Sequence, residues 1–155
     1  MTKSLAWVWL LLLQAVPVQA VTFGQMIGAL EQRGIAVQFR KSCAVKGSAA
    51  TYALSANTIC VNTRLAPTTQ QQSAALTHEV MHAAQDCLAG LNNNRMVPLH
   101  EYAGMSIGTV LGKLSTYQKS FIYSNYPRHQ WKVEMEAYAF ESNPAAVYQL
   151  LTHVC

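Results

Sequence analysis

Between Pro67 and Gly90 the chain carries one uninterrupted helical signal, and its residues admit only a narrow set of folds. Pro67 suits a first helical turn, Thr68 or Thr69 can cap it, and Gly90 stops it after Ala89. Inside this span His78 and His82 sit four residues apart. At 3.6 residues per turn that is ~40° around the axis, so both rings reach one side. Glu79 lies ~60° from His82. The opposite side carries Leu76, Val80, Ala83, Ala84 and Cys87. A helix of this kind needs a core beneath its apolar stripe and an open cleft above its imidazoles. It must therefore sit at the centre of the domain.

Two histidines at this spacing can share one tetrahedral cation, and Glu79 can approach a water there without being a ligand itself. That is the His-Glu-x-x-His pattern of a zinc site with its own base. A catalytic zinc takes three protein ligands and keeps one position open. The third is sought downstream, where Trp131 to Tyr138 contains Glu134 and Glu136, and Glu141 follows. Glu136 points ~200° from Glu134 around a helix axis, so the two cannot serve together. The only other His-Glu pair, His100-Glu101, has Gly104 where a second histidine would stand, so it offers no second site. The competing reading is a helix whose histidines only hydrogen-bond.

Around this helix the pattern predicts an α+β domain: a small antiparallel sheet packed on a mainly helical body. Thr22 can cap a helix from Phe23 to Arg33, with Gly34 as its stop. Three strands are expected over Ile35 to Arg40, Thr51 to Ser55 and Thr58 to Asn62. Leu91 to Pro98, with three successive asparagines, reads as a loop. From Leu99 the chain is mostly helical, is broken at Ser124 to Pro127, resumes over His129 to Glu141, and restarts at Asn143-Pro144. Gly104, Gly108 and Gly112 recur every four residues and suggest close helix packing.

The first twenty residues read differently. Lys3, the apolar run Leu5 to Val16, Pro17 and the small-residue junction at Ala20 form the three-part layout of a secretory signal peptide. The run is shorter than the ~20 residues a membrane span needs. Residues 21–155 are then a single exported domain, secreted or periplasmic, with no stable membrane insertion. The net charge of +4 is spread along the chain rather than gathered in a stripe, which argues against a nucleic-acid partner. Cys43, Cys60, Cys87 and Cys155 make an even set, and in an oxidising compartment they imply two disulfides. Of three pairings the favoured one is Cys43–Cys60, closing a local hairpin, with Cys87–Cys155, tying the C-terminus to the central helix.

His78-Glu79-Val-Met-His82, followed by a Glu-x-Glu-Ala segment, resembles the gluzincin branch of the zincin metallopeptidases. The resemblance rests on two short segments, and it implies a zincin-like fold binding one Zn²⁺ per chain. His78, His82 and Glu134 would be its ligands, with Glu136 or Glu141 as alternatives to Glu134, and Ala137 would let the two helices approach. Glu79 would be the general base in hydrolysis of a peptide or protein substrate. Tyr126 and His129 are the leading candidates to donate to the oxyanion, with Tyr123 beside them. The chain departs from some relatives at Tyr138, where they carry an acidic residue that supports the histidines; Gln85 or Asp86 could substitute. It is also too short for a second substrate-binding lobe. Two rival functions stand beside the peptidase: a secreted non-catalytic binding module on the same scaffold, and a zinc hydrolase for a non-peptide amide or ester. Oligomeric state is not legible.

Overall fold

The computed structural model describes residues 20–155, so the leader expected over residues 1–20 falls, apart from Ala20, outside the described residues. Helix α1 (Phe23–Glu31) starts at a reciprocal cap. The Thr22 side chain accepts from the Gln25 amide, and the Gln25 side chain accepts from the Thr22 amide. Three strands follow: β1 (Ala36–Arg40), β2 (Ala50–Ala53) and β3 (Thr58–Asn62). A 3₁₀ turn over Leu54–Ala56 and a left-handed Asn57 (φ 44°) join β2 to β3.

The fold is α+β, as expected, but the sheet is mixed rather than wholly antiparallel. Its order is β1-β3-β2, with β2 antiparallel and β1 parallel to β3. The physical reason lies in β3, whose Ile59 and Val61 are both fully buried and claim the central position. The short turn at Asn57 folds β2 back along one edge of it. β1 is left the other edge, and the connection over residues 41–49 crosses between the two edges and sets its direction. A disulfide from Cys43 to Cys60 (Cα–Cα 5.9 Å) pins that connection to the middle of β3.

Helix α2 (Thr69–Ala89) is the axis of the molecule. Thr68 and Gln71 cap it reciprocally, and Gly90 ends it at φ 90°. It packs against the sheet through β2 and β3, and against α6 (Trp131–Phe140) and α7 (Pro144–Val154). Leu76, Val80, Ala83 and Ala84 enter a core with Leu30, Ile35, Ile59, Val61, Val147 and Leu151. A second disulfide, Cys87–Cys155 (Cα–Cα 5.2 Å), fastens α7 to the end of α2. Both pairings agree with the expected ones.

Between α2 and α6 lie α3 (Leu99–Tyr102), α4 (Ile107–Lys113) and α5 (Thr116–Asn125). α4 and α5 close with α6 over a smaller core of Val110, Leu114, Ile122 and Met135, while α3 gives Leu99 to the main core. The glycine repeat does not make a packing face. Gly104 is in a left-handed turn (φ 66°) between α3 and α4, and a Cβ at Gly104 or Gly112 would meet nothing within 4 Å. The four-residue period there crosses a helix boundary. No helix among the described residues is long and apolar enough to cross a membrane.

Candidate metal centre

The polar side of α2 faces α6, and the two helices bring three donors to one point. His78 Nε2 lies 3.7 Å from Glu134 Oε2, and His82 Nε2 lies 3.6 Å from Glu134 Oε1. The ligand atoms of His78, His82 and Glu134 all fall within 4.8 Å of one another. Ala137, fully buried one turn after Glu134, allows the helices this close. The separations exceed a hydrogen bond, so the groups stand around a shared centre rather than bond across it.

The far sides of both rings are held. His82 Nδ1 is 2.8 Å from Gln85 Oε1. The Gln85 amide cannot be reversed, because its Nε2 donates to the Val133 carbonyl (3.0 Å) and to Glu136 Oε2 (2.7 Å). Its oxygen must therefore accept, which puts the His82 proton on Nδ1 and leaves the Nε2 lone pair aimed at Glu134. His78 Nδ1 lies 3.2 Å from Glu141 Oε2, and Gln118 Nε2 on α5 donates to the other oxygen of Glu141 at 3.4 Å. Glu141 is thus the partner of a histidine and not a third ligand. The acidic support that Tyr138 does not provide comes from three residues further along, while the Tyr138 ring packs edge-on against His78 at 4.6 Å.

Glu136 is excluded as a ligand by its own bonds. Fully buried, it accepts from Gln85 Nε2, from the Leu99 and His100 amides (2.8 and 2.6 Å) and from His100 Nδ1 (2.5 Å). Glu134 is its opposite. Its Oε2 is buried and has no hydrogen-bond partner.

The donor set fits a divalent cation. Two imidazole nitrogens and one carboxylate are a normal zinc complement, and both imidazoles have their outer nitrogens engaged as zinc-ligating histidines usually do. Three converging acceptors around a buried, unpartnered oxygen repel one another unless a cation or a proton sits among them. The titration behaviour has the same origin. Burial alone would pull His78 down, yet the Glu134 and Glu141 carboxylates beside it push it up to about 10. Burial alone would raise Glu134, but the two histidines hold it down at about 2.

Glu79 is buried beside the three donors and lines a cleft of about 430 Å³ with His78, Glu141, Tyr126 and Tyr138. Tyr126 closes the cleft from the end of α5. Burial, followed by the Glu134 charge, keeps its hydroxyl protonated far above the usual phenol range, so it is a donor. His129 is elsewhere: it lines a separate cavity with Glu101 and Lys132 that shares no residue with the cleft. The turn over Arg128–Gln130 that starts α6 aims it away. Tyr123 meets Trp131 edge to face at 4.6 Å, also outside the cleft. Asp86 takes the Tyr52 hydroxyl at 2.6 Å and does not support a histidine.

A family model described as a domain of unknown function (DUF8637) matches residues 36–155, which covers α2, α6 and every residue of the centre. No curated protein and no solved structure matches the chain. The chain belongs to the DUF8637 family.

Proposed function

We propose that this DUF8637 protein is an exported zinc metallopeptidase that hydrolyses peptide bonds with Glu79 as general base. The observation that carries the reading is the convergence of His78, His82 and Glu134, whose Oε2 is buried without a hydrogen-bond partner, beside a buried Glu79 on the wall of an open cleft. A structural zinc site is closed by four protein ligands, whereas three donors and a cleft leave a place for substrate. Export is supported by the two disulfides, which persist in oxidising compartments, and by the leader pattern of residues 1–20.

Zinc held there supplies a Lewis acid that acidifies water and polarises a carbonyl. The rest is done by the chain. Gln85 and Glu141 keep the Nδ1 protons on the two histidines and so hold their Nε2 lone pairs inward. Glu79 takes a proton from the attacking water as its oxygen bonds to the carbonyl carbon. When the C–N bond breaks, Glu79 returns that proton to the leaving amine. Tyr126, protonated and on the cleft wall, donates to the oxygen that gains negative charge.

The test uses the protein expressed with its own leader, oxidised and loaded with zinc, against labelled casein. Hydrolysis is expected with about one zinc per chain. Glu79→Gln should keep the zinc and lose activity by a factor on the order of 10²–10⁴, the usual contribution of a general base. Full activity in that variant would sink the assigned role of Glu79. A zinc-loaded wild type that cleaves no peptide, ester or amide would leave a binding module.

A further inference from the structure

The cleft does not end at the three donors. A second cavity of about 150 Å³ opens beside it, lined by Tyr117, Gln118, Phe121 and Tyr138. Phe121 and Tyr138 line both spaces. An unbroken run of rings leads outward from the centre. Tyr138 is 4.6 Å from the His78 ring, Phe121 is 6.0 Å from Tyr138, and Tyr117 is 6.3 Å from Phe121. Tyr117, at the outer end, is 76% exposed.

These rings are not simply the core of the helical half. Helix α5 gives Ile122 to that core and Tyr138 packs one side against it, but neither Phe121 nor Tyr117 does. They occupy another face of the helix, and the space in front of them is the cavity. Half-exposed aromatic surface next to a polar centre is the usual composition of a ligand subsite. Across the cleft the wall is made of small residues, Ala49, Ala50, Ala74 and Ala75, which leave width for a bound chain. No lysine or arginine lines either cavity, while Glu79 and Glu141 both line the cleft.

We propose that the Tyr117–Phe121–Tyr138 cavity is the specificity subsite of the cleft. It takes a bulky, uncharged side chain of the phenylalanine or leucine class, in the interior of a peptide. Successive residues of an extended peptide advance ~3.3 Å, so the cavity serves a side chain within a few positions of the bond cut. Acidic side chains and free C-terminal carboxylates are disfavoured in this cavity, because its own lining offers no cation and the Gln118 amide in it already donates to Glu141. This rests on the peptide-hydrolase reading, and binding separates the two.

The experiment uses the zinc-loaded Glu79→Gln protein, so that peptides survive. Calorimetry measures its affinity for a blocked glycine–alanine dodecapeptide carrying Phe, Ala or Asp at its centre, and for the Phe peptide with a free C-terminus placed next to it. The Phe peptide should bind ~10-fold or more tightly than the Ala peptide, the range a filled apolar pocket gives. The Asp and free-carboxylate peptides should bind more weakly than their neutral counterparts. Adding Phe121→Ala should bring Phe and Ala within about twofold. Tyr117→Ala, at an exposed position that leaves the fold alone, should reduce the ratio severalfold. Equal affinities for Phe and Ala in the parent overturn the subsite, as does a preference that survives both aromatic deletions. A clear Phe preference with no hydrolysis by the wild type leaves the subsite standing and removes the peptidase. Hydrolysis without any preference does the reverse.

Discussion

Gln85→Leu isolates the geometry that fixes His82. The glutamine is fully buried and makes three side-chain contacts: it accepts from His82 Nδ1 and donates to Val133 and Glu136. Leucine fills the space with no polar atom. Of the three partners, the Val133 carbonyl is also placed to accept within α6, and Glu136 keeps three of its four donors. His82 alone loses its only outer contact. Its proton is then free to move to Nε2, which removes the lone pair the metal needs, and the ring is free to turn. Loss of such a supporting bond costs 10–100-fold in metal affinity. The stability cost is about 1–3 kcal/mol, for buried polar atoms left short of a partner. For a domain of this size that is a fall in Tm on the order of 3–10 °C. Zinc affinity is measured by competition with a chromophoric chelator well below Tm, where circular dichroism shows the variant folded. An affinity within threefold of wild type would refute the argument that Gln85 sets the tautomer and aim of His82.

Three further outcomes follow from the same geometry. Glu134→Ala should weaken zinc binding severely and leave the metal-stripped protein folded, losing only the stability that its pairing with His78 and His82 supplies. Glu136→Ala should do the opposite, destabilising by at least ~3 kcal/mol through donors left buried without an acceptor; metal titration and thermal melts of both variants decide. In the metal-stripped protein, His78 is pushed up to about 10 from an ordinary 6.5, so its contribution to stability is complete below pH 6.5 and lost as pH rises through about 10. Glu134 is held at about 2 against an ordinary 4.5, so its contribution is complete above pH 4.5 and lost as pH falls through about 2. Urea melts should therefore show a plateau between pH 4.5 and 6.5, and zinc binding at pH 7 should release about one proton, read by calorimetry in two buffers. A stability that still rises above pH 7, or no proton release, contradicts the assignment. Cys87→Ser with Cys155→Ser removes a link spanning 68 residues and should cost ~2–5 kcal/mol, a loss under 1 kcal/mol being too small for the role given to it.

What could be read from the sequence was what depends on local spacing. Thr68, Gly90 and the two faces of α2 are settled within a turn or two of helix, and so is the pairing of His78 with His82. Glu134 was reachable through the family resemblance, with Glu136 and Glu141 left open; helical phase told only that Glu134 and Glu136 could not serve together. The direction of β1 was not, since the alternation in residues 35–40 shows which face is buried and says nothing of the neighbouring strand. The role of Glu141 was missed for a related reason. It lies one residue past the end of α6, and its bond to His78 depends on how α6 crosses α2. His129 illustrates the reverse error: two residues after Pro127 it is near Tyr126 in sequence, but the turn between them sends the two side chains to different cavities. The glycine repeat failed because a period is meaningful only within one helix.

Glu134 and Glu136 stand two residues apart on α6, both buried, and differ in how much of their demand is met at home. Glu136 is saturated by four donors and gains nothing from any visitor. Glu134 is frustrated: the folded chain brings a carboxylate into its interior and gives one oxygen nothing to bind. Asp86 also has an oxygen without a partner, but its other oxygen holds the Tyr52 hydroxyl and, among the described residues, no further metal-binding donor set converges on it. Unmet demand marks a waiting site only where other donors face the same point, and on α6 that separates the acid that completes the cluster from the acid that holds the scaffold.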